Sequence, residues 1–141
     1  MVSNDTLKRR SSRACSKELS SEQAIAAAKA AFQDRGTFLF GSTPGKLEAN
    51  FMELGLLTVA ERNSAVDDAL SEIKPCDRMG PQPPNNISIH PYGGRVLYAF
   101  IWKSSAFGSV YLKFCLTGAT GVELLVLHSF HHEGKEIDEK S

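Results

Sequence analysis

Residues 108–130 read GSVYLKFCLTGATGVELLVLHSF, two apolar runs joined at GATG (118–121) and followed at once by His131 and His132. A short Gly-containing connection between runs rich in Val, Leu, Phe and Tyr is the pattern of a β-hairpin. Upstream, RVLYAFIWK (95–103) is a third run of the same kind, separated from the second by SSAFG (104–108). Three such runs predict a three-stranded antiparallel meander.

Side chains alternate between the faces of a strand, so each run divides into two rows. In the middle strand Val110, Leu112, Phe114 and Leu116 form the apolar row, opposite Tyr111, Lys113, Cys115 and Thr117. Strict alternation in the last strand puts Val122, Leu124, Val126, His128 and Phe130 on one side. Glu123, Leu125, Leu127, Ser129 and His131 fall on the other. If the first row of each strand packs inward, Tyr111, Lys113, Ser129 and His131 share the opposite face. Antiparallel sheets tolerate water on one side, so this face is expected to be solvated.

Ahead of the strands the spacing is helical. SSEQAIAAAKAAFQDRG (20–36) opens with Ser20 and Gln23 in a capping-box arrangement and closes on a glycine suited to a helix end. KLEANFMELG (46–55) places Leu47, Phe51 and Leu54 on one side. A second capping box, Thr58 with Glu61, starts a helix whose stripe is Val59, Val66, Ala69, Leu70 and Ile73, and which stops before Pro75. GTFLFGSTPG (36–45) is either a brief strand or a packed turn. Five prolines between Lys74 and Gly94 forbid a continuous element there and predict a long surface loop bordering a site. The fold class is α+β, with N-terminal helices packed on one face of a small antiparallel sheet. Residues 18–141 read as a single domain preceded by a flexible basic arm, 1–17.

Composition narrows the setting. No apolar run reaches the roughly 18 residues needed to span a bilayer, so no membrane partner is expected. The basic N-terminus lacks an uninterrupted apolar stretch after it, and the three cysteines (Cys15, Cys76, Cys115) show no metal-knuckle or disulfide spacing. A cytoplasmic setting follows. Formal net charge is zero, but its distribution is uneven. Residues 46–77 hold seven acids against three bases, a balance of −4, whereas residues 78–132 hold four bases against one acid, a balance of +3. The C-terminal half is the better match for a phosphate backbone.

The polar row suggests a chemistry. A base can remove the proton of a ribose 2′-hydroxyl, a cation can stabilise the pentavalent phosphorane, and an acid can protonate the departing 5′-oxygen. His131 suits proton transfer, Lys113 and Arg78 suit charge stabilisation, and Tyr111 suits a hydrogen bond to phosphate or stacking on a base. Lys103, Arg95 and His132 are candidates for holding the rest of the substrate. No metal or other cofactor is called for, since a strand places His128 and His131 on opposite faces and no acidic or Cys ligand has suitable spacing.

Three stretches in order, KLEANFMELGLLTVAER (46–62), DRMGPQPPNN (77–86) and GSVYLKFCL with LHSFHHE (108–133), resemble the MqsR-like toxins of bacterial toxin–antitoxin pairs, within the RelE-type superfamily. The resemblance implies a RelE-like α+β toxin that cleaves mRNA without metal. It also implies a cognate antitoxin protein as partner, with the ribosome as a further candidate. Tyr111 and Lys113 fall on the family's Tyr and Lys in a YLK-like strand, His131 falls on the basic position after SF, and Arg78 lies near the cation before the loop. The chain departs from members that carry Lys in the loop and at the terminal basic position, so the resemblance leaves open which group is acid and which is base. A same-fold toxin or interaction module that acts by protein binding, without nuclease chemistry, is the alternative.

Overall fold

The computed structural model describes residues 18–41, 45–79, 95–119 and 122–133. The basic arm 1–17 and residues 80–94, which carry most of the proline-rich loop, lie outside the described residues.

Both capping boxes form, because each needs only residues three positions apart. Helix α1, Ser21–Arg35, begins where Ser20 Oγ accepts from the Gln23 N–H at 3.1 Å and Gln23 Oε1 accepts from the Ser20 N–H at 3.0 Å. It ends at Gly36, whose φ of 73° lets its N–H turn back to the Phe32 carbonyl. Helix α2 spans Lys46–Glu53 and buries Leu47 and Phe51. Helix α3, Val59–Glu72, starts at Thr58, where the Glu61 carboxylate accepts from the N–H groups of Leu57 and Thr58. Those two backbone donors hold the Glu61 carboxyl below its ordinary value. Ala65, Val66, Ala69 and Leu70 form the buried stripe, joined by Ile73 just past the helix end. Val59, expected on that stripe, is exposed instead, since in the first turn it points away from the core.

After a single 3₁₀ turn at Pro75–Asp77 come β2 (Arg78–Met79), β3 (Tyr98–Ser104), β4 (Gly108–Ala119) and β5 (Val122–His132). Strands β3, β4 and β5 form the expected antiparallel meander. The sheet as a whole is mixed rather than antiparallel, because β1 (Leu39–Phe40) runs parallel to β5 along its outer edge. The order is β1-β5-β4-β3-β2. The fold is therefore α+β, with most of the helical segment ahead of the sheet.

One face of the sheet receives the helices. Tyr98, Phe100, Trp102, Val110, Leu112, Phe114, Leu125, Leu127 and Phe130 pack there against the buried sides of α1, α2 and α3. Three polar clamps fix this layer. The Arg62 guanidinium donates to both Glu48 carboxylate oxygens at 2.8 and 3.0 Å and through Nε to the Leu56 carbonyl, while lying 5.2 Å from the Phe51 ring centre. Trp102 Nε1 donates to Glu72 at 2.7 Å, tying the end of α3 to β3. The Tyr98 hydroxyl accepts from the Leu19 N–H at 2.8 Å, and burial pushes its phenol above the ordinary value.

Strand β5 departs from strict alternation. Lys113 pairs with Ser129, but the next residue, Phe114, pairs with Leu127, so His128 is an extra residue in the ladder, a β-bulge. Leu125 and Leu127 consequently face the helices and Val126 faces away, the reverse of the alternating expectation. Beyond the bulge the phase returns: Phe130 faces the helices and Ser129 and His131 do not.

Candidate functional site

The sheet face turned away from the helices carries the candidate groups. Pairing across β4 and β5 sets Tyr111 directly opposite His131 and Lys113 directly opposite Ser129. The rings of Tyr111 and His131 lie with centroids 5.3 Å apart and planes inclined by 30°. Cross-strand partners have Cβ atoms about 5 Å apart and diagonal neighbours about 7–8 Å, so the four side chains leave the sheet as one cluster.

The expected solvated face is instead largely closed to water. His131 is only 3 % exposed and Ser129 is 0 % exposed, and Leu97, Ala99, Ile101, Cys115 and Val126 on the same side are buried. None of the buried apolar residues of the described helices joins the small cluster of Leu97, Cys115 and Val126 on this face. Tyr111 and Lys113 are partly exposed and Lys103 is exposed, so the face grades from a dry end at Cys115 to a wet end at Lys103. Exclusion of water strengthens any electrostatic interaction made at the dry end.

The tautomer of His131 follows from one contact. Its Nδ1 lies 2.8 Å from the His132 carbonyl oxygen. A carbonyl can only accept, so Nδ1 carries the proton, and in the neutral ring Nε2 keeps its lone pair. That is the protonation pattern of a general base.

Two further features of this face escaped alternation. Cys115 Sγ and His128 Nε2 are 3.4 Å apart, both buried, because the bulge swings His128 onto the side where strict alternation forbids it. Gly41 abuts the same spot: a Cβ there would lie 2.4 Å from Val126 Cγ1 and 2.8 Å from His128 Nε2. The readable signal is the apolar spacing of Leu125, Leu127 and Phe130, two residues and then three, which already implies an inserted position. The second feature is Ser129 Oγ, a buried hydroxyl without a hydrogen-bond partner among the described residues. Such groups cost about 1–3 kcal/mol and call for an explanation.

Arg78 is not part of this constellation. It pairs with Phe100, which places it on the helix-facing side. There its guanidinium lies 5.1 Å from the Tyr98 ring centre and donates to Ser21 Oγ at 3.0 Å and Glu18 at 3.1 Å. It ties β2 to the start of α1, and a phosphate on the other face is out of its reach through the thickness of the sheet. His132 pairs with Val110, also toward the helix side, so it does not join His131. Lys103 pairs with Ser109 at the wet end of the candidate face, and Arg95 precedes β3, partly buried.

Among the described residues, no three His, Cys, Asp or Glu side chains are grouped to hold a metal ion. No described helix is long and apolar enough to cross a membrane. No family model, curated protein or solved structure matches the chain.

Proposed function

We propose that this chain is the toxin of a toxin–antitoxin pair and acts as a metal-independent endoribonuclease that cleaves mRNA and so inhibits translation. The observation that carries the reading is the Nδ1 contact of His131 with the His132 carbonyl, on a ring paired with Tyr111 and one cross-strand step from Lys113. His131 Nε2 takes the proton of the 2′-hydroxyl, and the 2′-oxygen attacks phosphorus. The Lys113 ammonium stabilises the charge that grows on the phosphorane oxygens, where a preorganised cation acts most strongly. As the P–O5′ bond breaks, the Tyr111 hydroxyl protonates the leaving oxygen. Tyr111 and Lys113 form the partly exposed rim of this site and His131 its shielded floor. Lys103 extends the cationic surface toward solvent. The substrate in this reading is mRNA, with the ribosome as a candidate platform. The partner is a cognate antitoxin, and the setting is the cytoplasm.

The test is incubation of the purified chain with RNA in the presence and absence of EDTA. Cleavage that is unaffected by chelation and leaves 2′,3′-cyclic phosphate ends is expected; loss of cleavage on chelation overturns the mechanism.

The low exposure of His131 also favours a second reading, in which the polar row serves packing and the chain acts by binding a protein. Exposed Phe40 and Met52, in and beside the aromatic group of Phe38, Phe40 and Phe51, would then be contact residues. Under that reading His131→Ala leaves toxicity intact.

A further inference from the structure

Ser129 is absent from the mechanism above, yet its environment is unusual. Its side chain is fully shielded from solvent, and its Oγ has no hydrogen-bond partner among the described residues. Native structures rarely strand a buried hydroxyl, and each case calls for an explanation, among them strain, a bound water or ion, or a role in binding or chemistry. Ser129 follows the bulge directly and sits opposite Lys113, two residues before His131 on the same side of β5. The hydroxyl is therefore beside a cation and a proton acceptor, on the face where Tyr111 supplies the second hydroxyl. A hydroxyl is both donor and acceptor, and the one group that would engage it together with an ammonium is an anion with several acceptor oxygens.

We propose that Ser129 is a phosphate-binding residue, whose hydroxyl donates to a non-bridging oxygen of a nucleic-acid phosphodiester held by Lys113. The inference rests on the nuclease reading for its site, but it concerns binding and can be measured without cleavage. Ser129 supplies a short, fixed donor from the floor of the site, while Lys113 supplies the charge. It is a positioning residue for the phosphate rather than a proton-transfer group.

The experiment uses the full chain and a fluorescently labelled, short 2′-O-methyl oligonucleotide, which carries the phosphates but cannot undergo attack by its own 2′-oxygen. Anisotropy titrations over a range of salt compare the wild type, Ser129→Ala and Lys113→Ala. Ser129→Ala is expected to weaken binding about tenfold or more, as for loss of a hydrogen bond to a charged group, with an unchanged slope of log affinity against log salt. Lys113→Ala is expected to reduce that slope by about one phosphate contact. Removing a hydroxyl that has no partner among the described residues leaves the melting temperature of Ser129→Ala equal to or above that of the wild type.

Equal affinity of the wild type and Ser129→Ala overturns the proposal, as does failure of the wild type to bind the oligonucleotide. A lowered melting temperature in Ser129→Ala also overturns it, since that marks a packing role. If Ser129→Ala weakens binding as expected but the wild type leaves unmodified RNA intact, phosphate recognition stands and the nuclease reading falls.

Discussion

Replacing His131 by alanine separates the catalytic reading from a structural one, because the two predict different sizes of effect at a temperature where the chain is still folded. The ring is buried against Tyr111, and its Nδ1–H satisfies the His132 carbonyl. Losing the buried ring costs about 2 kcal/mol and stranding the carbonyl about 1 kcal/mol more, so roughly 3 kcal/mol in all. For a domain of this size that lowers Tm by about 10 °C. Domains of this kind have about 5–15 kcal/mol of stability, so at least about 2 kcal/mol remains at 25 °C, or roughly thirty folded molecules for each unfolded one. Unfolding then removes only a few per cent of any activity. If Nε2 is the general base, RNA cleavage by His131→Ala falls about a hundredfold or more. Lys113 is partly exposed, so Lys113→Ala shifts Tm little but lowers cleavage about tenfold or more. The double variant should lose less than the product of the two, as expected of groups acting on one phosphate. The assay is single-turnover cleavage of a labelled RNA at 25 °C beside thermal melts of the same samples. Cleavage by His131→Ala within about threefold of the wild type, with Tm lowered as calculated, would refute the assignment and leave the ring as a packing element.

Two predictions concern the scaffold that presents the site. Gly41→Ala forces a methyl group to within 2.4 Å of Val126 Cγ1, and Val is stiff at χ1, so the edge of β5 must move. We expect a loss of about 1–3 kcal/mol in denaturant titration; an unchanged midpoint would show that β1 does not press on β5 as described. The Arg62 hydrogen bonds hold the Glu48 carboxyl below its ordinary value of 4.5. A depressed folded value means the unfolded chain binds the proton more readily, so this contribution is complete above about pH 4.5 and is lost as pH falls through the folded value. The wild type should therefore lose stability more steeply than Glu48→Gln below that pH, and parallel profiles would remove the Arg62–Glu48 pair from the acid response.

The features legible in the sequence are the local ones. Ser20 with Gln23 and Thr58 with Glu61 announce helix starts because the partners lie within one turn, and both boxes form as read. The meander was legible because three alternating runs with short connections have few other arrangements. The parallel pairing of Leu39 and Phe40 with Val126 and Leu127 was not, since nothing within either segment encodes a contact nearly ninety residues away. Alternation correctly gathers Tyr111, Lys113, Ser129 and His131, yet it misplaces Leu125, Val126 and Leu127, because period two fails wherever a residue is inserted. The dryness of the face was hidden as well: polar residue types suggest water, but burial is decided by what packs nearby. The charge of Arg78 is visible in the sequence, whereas its side of the sheet depends on pairing with Phe100.

The inserted residue at position 128 acts as a phase shifter. It lets one continuous strand obey two opposite rhythms, one matched to β1 at its start and another matched to the polar row at its end. Its accommodation as a bulge, rather than its presence alone, fixes the faces. Were His128 instead to pair regularly with Lys113, with the first half held in register with β1, Ser129 and His131 would turn toward the helices and Phe130 would be expelled. The chemistry of this face therefore depends on how residues are paired as much as on their kinds.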